Sequence, residues 1–211
     1  MLEALALTLA LKSFLTLLVI MDPVGMVPIF LALSSGRPDE ERPRIARKAV
    51  VVTGGVMLAF ALGGSWLLDR LDITFDAFRA SGGILLFLIA VDMVLAQHER
   101  ETKEEEEESR SRQDISVFPL AIPMMAGPGA LASIMILASE ARHVSLGLTI
   151  VVANLGLVLT LCYGALRLTT PLRRLLGRTG VNVITRIFGV LLAALAVQYV
   201  ADGARRLLRA S

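Results

Sequence analysis

Apolar residues gather into six long stretches, at roughly residues 4–33, 48–69, 76–96, 115–139, 145–169 and 183–204, with polar segments between them. Each stretch approaches or exceeds the ~20 residues an α-helix needs to cross a bilayer's hydrocarbon. They are apolar on every side. They do not alternate, and they lack the turn spacing of barrel strands. The pattern therefore predicts an all-α membrane protein with six transmembrane helices.

Two of the stretches are interrupted. The first contains Asp22-Pro23-Val24-Gly25, with Pro28 about a turn later. The fourth contains Ala126-Gly127-Pro128-Gly129, preceded by Pro119 and Pro123. Proline removes a backbone donor and clashes with the turn before it, and glycine loosens the rest. In lipid, such backbone is tolerated only where it faces protein or a wet cavity. Spans 1 and 4 are thus expected to be broken near mid-membrane. Paired interruptions in corresponding halves point to the binding site of a secondary transporter.

A second match joins the halves. Span 3 begins Arg79-Ala-Ser-Gly82-Gly83 and span 6 begins Arg186-Ile-Phe-Gly189, at nearly the offset that separates Pro23 from Pro128. Residues 1–96 and 115–211 then form two three-span repeats, joined by a charged linker at 97–114 that carries Glu104 to Glu108. An odd number of spans per repeat inverts the second relative to the first. A run of like charge repels itself and stays solvated, as a linker should.

Composition sharpens the class. Of 211 residues 55% are hydrophobic, against ~45–50% in an ordinary soluble domain. Glu3 stands where a secretory signal would be basic, and the first run outlasts a signal's length, so span 1 is expected to stay in the membrane. Lys and Arg are richest in the loops after spans 1, 3 and 5: Arg37, Arg42, Arg44, Arg47 and Lys48; Arg100, Lys103, Arg110 and Arg112; Arg167, Arg173, Arg174, Arg178 and Arg186. By the positive-inside rule these loops are cytoplasmic and both termini face outward. No basic helix face with interleaved aromatics suggests a nucleic-acid partner. The single Cys162 lies in an apolar span and reads as a core thiol.

The interruptions carry the expected chemistry. A half-helix beginning at Val24 would present N–H groups and a positive dipole end, and one ending near Met21 would present carbonyls. The second break would supply the same pair from the other repeat. The substrate-binding residues expected are Asp22, Pro23, Gly25, Gly127, Pro128, Gly129 and Ser133, with Ala126 and Ala130 completing a small neutral lining. Asp22 reads either as a functional intramembrane carboxylate or as the cap of the second half-helix. Asp92 reads as a structural carboxylate. Lys12 reads as a snorkelling cation, and Arg79 and Arg186 as snorkelling or loop-pinning ones. Asn154 and Gln198 read as interhelical hydrogen bonds, and Gly54, Gly55, Gly82, Gly83 and Gly156 as close-packing points. Trp66 and Tyr199 read as interfacial anchors. The chain has no H-E-x-x-H, G-x-S-x-G or phosphate-cradling loop, so no enzyme, metal or cofactor is expected, apart from a coupling proton or sodium ion.

At these residues the chain resembles the MarC-related inner-membrane proteins, also classed as small neutral amino-acid transporters. The resemblance rests on Met21-Asp-Pro-Val-Gly-Met-Val-Pro-Ile-Phe30 within residues 14–30, on 78–90, on 118–130 with Phe-Pro-Leu-Ala-Ile-Pro-Met-Met-Ala-Gly-Pro-Gly-Ala, and on 186–198. It implies a multi-pass bacterial or archaeal plasma-membrane protein. It also implies an exporter or facilitator of amino acids such as alanine and glycine. The expected partners are the bilayer and these solutes, with homo-oligomerisation left open. The competing reading is a non-transporting membrane scaffold or accessory subunit. An intramembrane hydrolase using Asp22 and Asp92 lacks a motif and sets its carboxylates at different depths.

Overall fold

The structure is a computed structural model that describes residues 2–35, 37–95 and 114–210. The acidic linker expected at 97–114 lies outside the described residues, apart from Asp114. The described residues form helices and connecting turns, with no strand among them. Helix α1 is Leu2–Met21, α2 Met26–Leu33, α3 Arg42–Arg70 and α4 Phe75–Leu95. After the irregular coil Ser116–Met125 come α5 Pro128–Ala141, α6 Gly147–Arg167 and α7 Thr169–Ala210.

Five stretches are long and apolar enough to cross a bilayer: Ala4–Leu33, Arg42–Arg70, Phe75–Leu95, Gly147–Arg167 and Thr179–Arg209. The coil Ser116–Met125 and α5 make a sixth if taken together, with a bend of 59° between them. The described residues are therefore all-helical, with five to six candidate membrane-spanning helices. Many leucines and valines stay exposed along these helices, among them Leu7, Leu11, Leu62, Leu88 and Val190. That outward apolar surface is what lipid would cover.

The helices pack in a definite pattern. α4 lies along α7, α1 against α6, and α3 against α5, α6 and the coil before α5. Glycines set the α4–α7 contact: a Cβ on Gly83 would sit 2.8 Å from the Ala196 carbonyl, and one on Gly189 would sit 2.9 Å from Met93 Cβ. Gly54 and Gly82 are also close-packed, against Leu159 and Ala132, whereas Gly55 and Gly156 face open space. α5 is the central element. Residues 132–138 are all buried, on every side of the helix. A helix apolar all round belongs in a core.

Local chemistry explains the irregular coil. Phe118 and Ile122 are extended, each followed by a cis-proline, in a four-residue repeat of Phe-Pro-Leu-Ala and Ile-Pro-Met-Met. A proline drives the residue before it out of the helical region. The wide backbone bonds Leu120 N–H to Ile115 O (3.3 Å) and Ala126 N–H to Ala121 O (2.8 Å) hold the coil together. At its start Asp114 takes an ion pair from Lys48 and hydrogen bonds from Ser116. Those bonds, Lys48 first, hold the Asp114 carboxyl well below the usual carboxylate range, at about 2.

Candidate functional site

The first interruption is a turn built on one residue. Asp22 adopts φ 36°, a left-handed conformation that aspartate tolerates better than most side chains. Its Oδ1 accepts the Gly25 N–H at 3.0 Å, and its Oδ2 accepts the Thr185 hydroxyl from α7 at 2.9 Å. The Asp22 carbonyl takes the Met26 N–H at 3.0 Å, and Val27 N–H reaches Val24 O at 3.1 Å. Asp22 is thus a buried cap on α2. Thr185 was not singled out from the sequence, because nothing local marks a threonine that acts across 163 positions.

This geometry corrects most of the expectation of free N–H groups after Asp22, since the carboxylate and the turn take those of Gly25, Met26 and Val27. What the break frees is acceptors. Pro23 has no N–H to give the Val19 carbonyl one turn back, and Gly25 turns its N–H to the carboxylate instead of to Met21 O.

The second interruption has the opposite polarity. Gly127 is extended (ψ 171°) at the start of α5, Pro128 follows, and no side chain caps the helix. The N–H groups of Gly129 and Ala130 lie in the first turn, where no intrahelical carbonyl can reach them. The first turn holds no acidic residue either. Further along α5, Ser133 is fully buried and its hydroxyl has no partner among the described residues. An orphaned hydroxyl of this kind costs roughly 1–3 kcal/mol.

The expected residues fall into two groups. Asp22 and Gly25 are bonded to each other, with Pro23 buried beside them. Gly127 packs back on the Pro123 carbonyl, Gly129 sits against Leu86 and Ile89 of α4, and Pro128 is exposed. Both groups border one apolar core that includes Met21, Met26, Met125, Ala126 and Ala130.

A second polar cluster lies about 15–18 Å away, toward the face where α1 begins, judging by the helical rise from Asp22 and Pro128. Glu140 of α5 accepts Lys12 Nζ at 2.6 Å and Arg79 Nη2 at 3.0 Å. Arg79 is 5% exposed and lies 5.3 Å from the Phe75 ring centre, and Lys12 stands 5.8 Å from that of Tyr199. The cluster corrects two expectations and adds a residue that neither foresaw. Lys12 does not snorkel outward, since it is tied to Glu140. Tyr199 is no interfacial anchor, being only 1% exposed. Glu140 joins both cations, though its place near a helix end gave no sign of it. Arg79 is pinned to a carboxylate on another helix and not to a loop, while Arg186 is exposed.

Asn154 does bridge helices, donating to Ala10 O at 2.8 Å and Ser13 Oγ at 2.7 Å. Gln198 instead donates along its own helix to Asp202 at 3.0 Å. Trp66 is exposed beside Arg70, and Cys162 is buried and free.

The comparisons fit this architecture. Residues 7–208 match the MarC family integral membrane proteins. The chain belongs to that family. It is 37% identical to a UPF0056 membrane protein of Methanocaldococcus jannaschii, over 92% of this chain and 94% of that one. It is 36% identical to the UPF0056 membrane protein YvbG of Bacillus subtilis (90% and 91% covered) and 33% identical to YhcE of Escherichia coli (91% and 90%). MarC family relatives therefore occur as multi-pass membrane proteins in both bacteria and archaea. No solved structure matches the chain.

Proposed function

We propose that this MarC family protein is a secondary transporter, an exporter or facilitator of small neutral amino acids, and not an enzyme. In this reading residues 1–96 and 115–211 are inverted repeats, spans 1 and 4 are broken, and the solute binds between the breaks. One observation carries the reading: each interruption lies against the last span of the other half. A Cβ on Gly25 would meet Thr185 Oγ1 of α7 at 2.9 Å, and one on Gly129 would meet Ile89 Cδ1 of α4 at 2.6 Å. The helix pairs obey the same exchange, since α1 and α2 on α6 correspond to the coil and α5 on α3, and α4 on α7 to itself.

The two polarities suit a zwitterion. Carbonyls freed at Pro23 favour an ammonium group, and the uncapped N–H groups of Gly129 and Ala130 favour a carboxylate. The Ser133 hydroxyl, unused by the fold, is available to either. Ala126 and Ala130 leave little room for a large side chain. A second ligand charge would lie unpaired in a low-dielectric site. Coupling, where present, needs one proton or one sodium ion.

Purified protein in vesicles is expected to carry alanine or glycine. Unlabelled serine should inhibit that flux, and leucine, arginine and glutamate should barely affect it. Inhibition by arginine or glutamate with none by alanine would refute this pocket. No flux of any amino acid would favour the scaffold reading.

We also propose the orientation given by the Lys/Arg loops, in a bacterial or archaeal plasma membrane. Ser35 and Ser145 are exposed at opposite ends of the bundle. In a Cys162→Ser background, Ser145→Cys is expected to react with an impermeant thiol reagent in intact cells, while Ser35→Cys resists it. The reverse labelling would invert the orientation.

A further inference from the structure

A cavity of about 170 Å³ opens where α3 begins and α6 passes into α7, lined by Asp39, Arg42, Pro43, Leu166, Arg167, Thr169 and Thr170. A single water needs about 10–15 Å³ on this measure, so the space admits a polyatomic group. Three observations give it a charge preference. Arg42 pairs through Nη1 with Asp39 at 2.7 Å, which cancels that charge and leaves Arg167 in excess. The Arg42 Nε is buried and without a partner, so one side of a fork that matches phosphate oxygens is unused. The polar wall is also made of helix starts, Arg42–Pro43 of α3 and Thr169–Thr170 of α7, and neither first turn contains an acid.

The surroundings place this cavity at a membrane boundary. Leu166 forms an apolar, buried part of the wall. Residues 169–176 precede the turn at Gly177 (φ 61°), and only from Thr179 does the chain become a candidate span. This short stretch presents Arg173 and Arg174 beside Leu175, which is 82% exposed. Basic and apolar groups side by side suit the headgroup layer. Arg167 is exposed, with Nη1 donating to the Tyr163 hydroxyl at 3.1 Å. Glu40 and Glu41 are exposed on the adjoining loop and would repel a multiply charged anion more than a singly charged one.

We propose that this cavity binds a phosphate-bearing anion of low charge, held by Arg42, Arg167 and Thr169. Two sources share that chemistry, the phosphodiester of an anionic phospholipid and free phosphate. The site is separate from the interruptions and stands or falls independently of transport.

The test uses the purified full chain in neutral detergent. Thermal unfolding and native mass spectrometry would be followed with phosphatidylglycerol, phosphatidylcholine and sodium phosphate. Phosphatidylglycerol is expected to raise the unfolding midpoint and remain bound, while phosphatidylcholine does neither. Stabilisation by sodium phosphate that displaces phosphatidylglycerol would also support the site and assign it to the free ion. Arg167→Gln, a change at an exposed residue, should weaken binding about tenfold through loss of a charge-assisted hydrogen bond. Thr169→Val serves as a second, nearly isosteric variant and should weaken it less. Equal effects of the two lipids, no effect of any probe, or unchanged binding in both variants would overturn the proposal.

Discussion

Replacing Glu140 with glutamine is expected to lower the stability of the folded protein more than any other single change of a polar side chain. The carboxylate answers two cations at once, Lys12 at 2.6 Å and Arg79 at 3.0 Å. Arg79 has a side chain only 6% exposed, and its Nε already lacks a partner. Glutamine keeps the size and one acceptor but removes the charge, leaving a buried guanidinium beside the Phe75 ring without its counter-charge. Breaking a buried ion pair costs roughly 3–5 kcal/mol. Lys12 and Glu140 keep 37% and 24% of their side-chain surface exposed, so the lower end, roughly 3 kcal/mol, is expected. Thermal unfolding in detergent would read the loss. A triple variant, Lys12→Met with Arg79→Met and Glu140→Leu, should recover much of it, because no charge is then left buried. Wild-type stability in Glu140→Gln would show that Arg79 is solvated and that the cluster does not tie α1, α4 and α5 together.

The cluster also shows where sequence reasoning stops. The spans were legible because hydrophobic length is a local property, and the helices match the expected stretches within a few residues at most ends. The larger differences came where polar residues extend a helix beyond its apolar run, as from Arg42, and where prolines make the backbone irregular, as in the coil before α5. The irregular backbone at 22–25 and 116–127 was legible for the same reason, since proline and glycine act on their own neighbours. Partners were not. Lys12 and Glu140 lie 128 positions apart, and each alone looks like a cation or a carboxylate near the end of a span. Tyr199 was misjudged because an aromatic near an apolar stretch suits a lipid interface and a helix contact equally well; the α4–α7 packing through Gly83 and Gly189 decides for the contact. Thr185 shows the same limit at the site itself. The polarity of each interruption depended on whether a side chain capped the helix. Asp22 does so at the first, and no residue does at the second.

Gly25→Ala is expected to disable the first interruption, and Asp22→Ala to relieve part of that damage. The added methyl carbon would collide with Asp22 Oδ2 and stand 2.8 Å from Asp22 Cγ and 2.9 Å from Thr185 Oγ1. Aspartate is too short to swing clear while keeping its bond to the Gly25 N–H, so either the cap or the α2 backbone must shift. Overpacking of this kind costs about 1–3 kcal/mol, and loss of the cap adds about 1 kcal/mol. Asp22→Ala alone forfeits the cap and the bond to Thr185 but removes the two closest atoms. The double variant should therefore be more stable than the sum of the single losses, by a margin that only contacting residues produce. Gly127→Ala is the contrasting case, because its new carbon would meet the Pro123 carbonyl oxygen at 2.6 Å, and no side-chain deletion can relieve a backbone clash. Gly55→Ala, which faces open space, controls for the substitution itself. Thermal unfolding of the four single variants and the double tests the geometry, and alanine flux in vesicles tests its use. Additive losses for Asp22 and Gly25 would mean that the carboxylate does not sit on the turn. Wild-type flux in both Gly25→Ala and Gly127→Ala would remove the interruptions from the transport path.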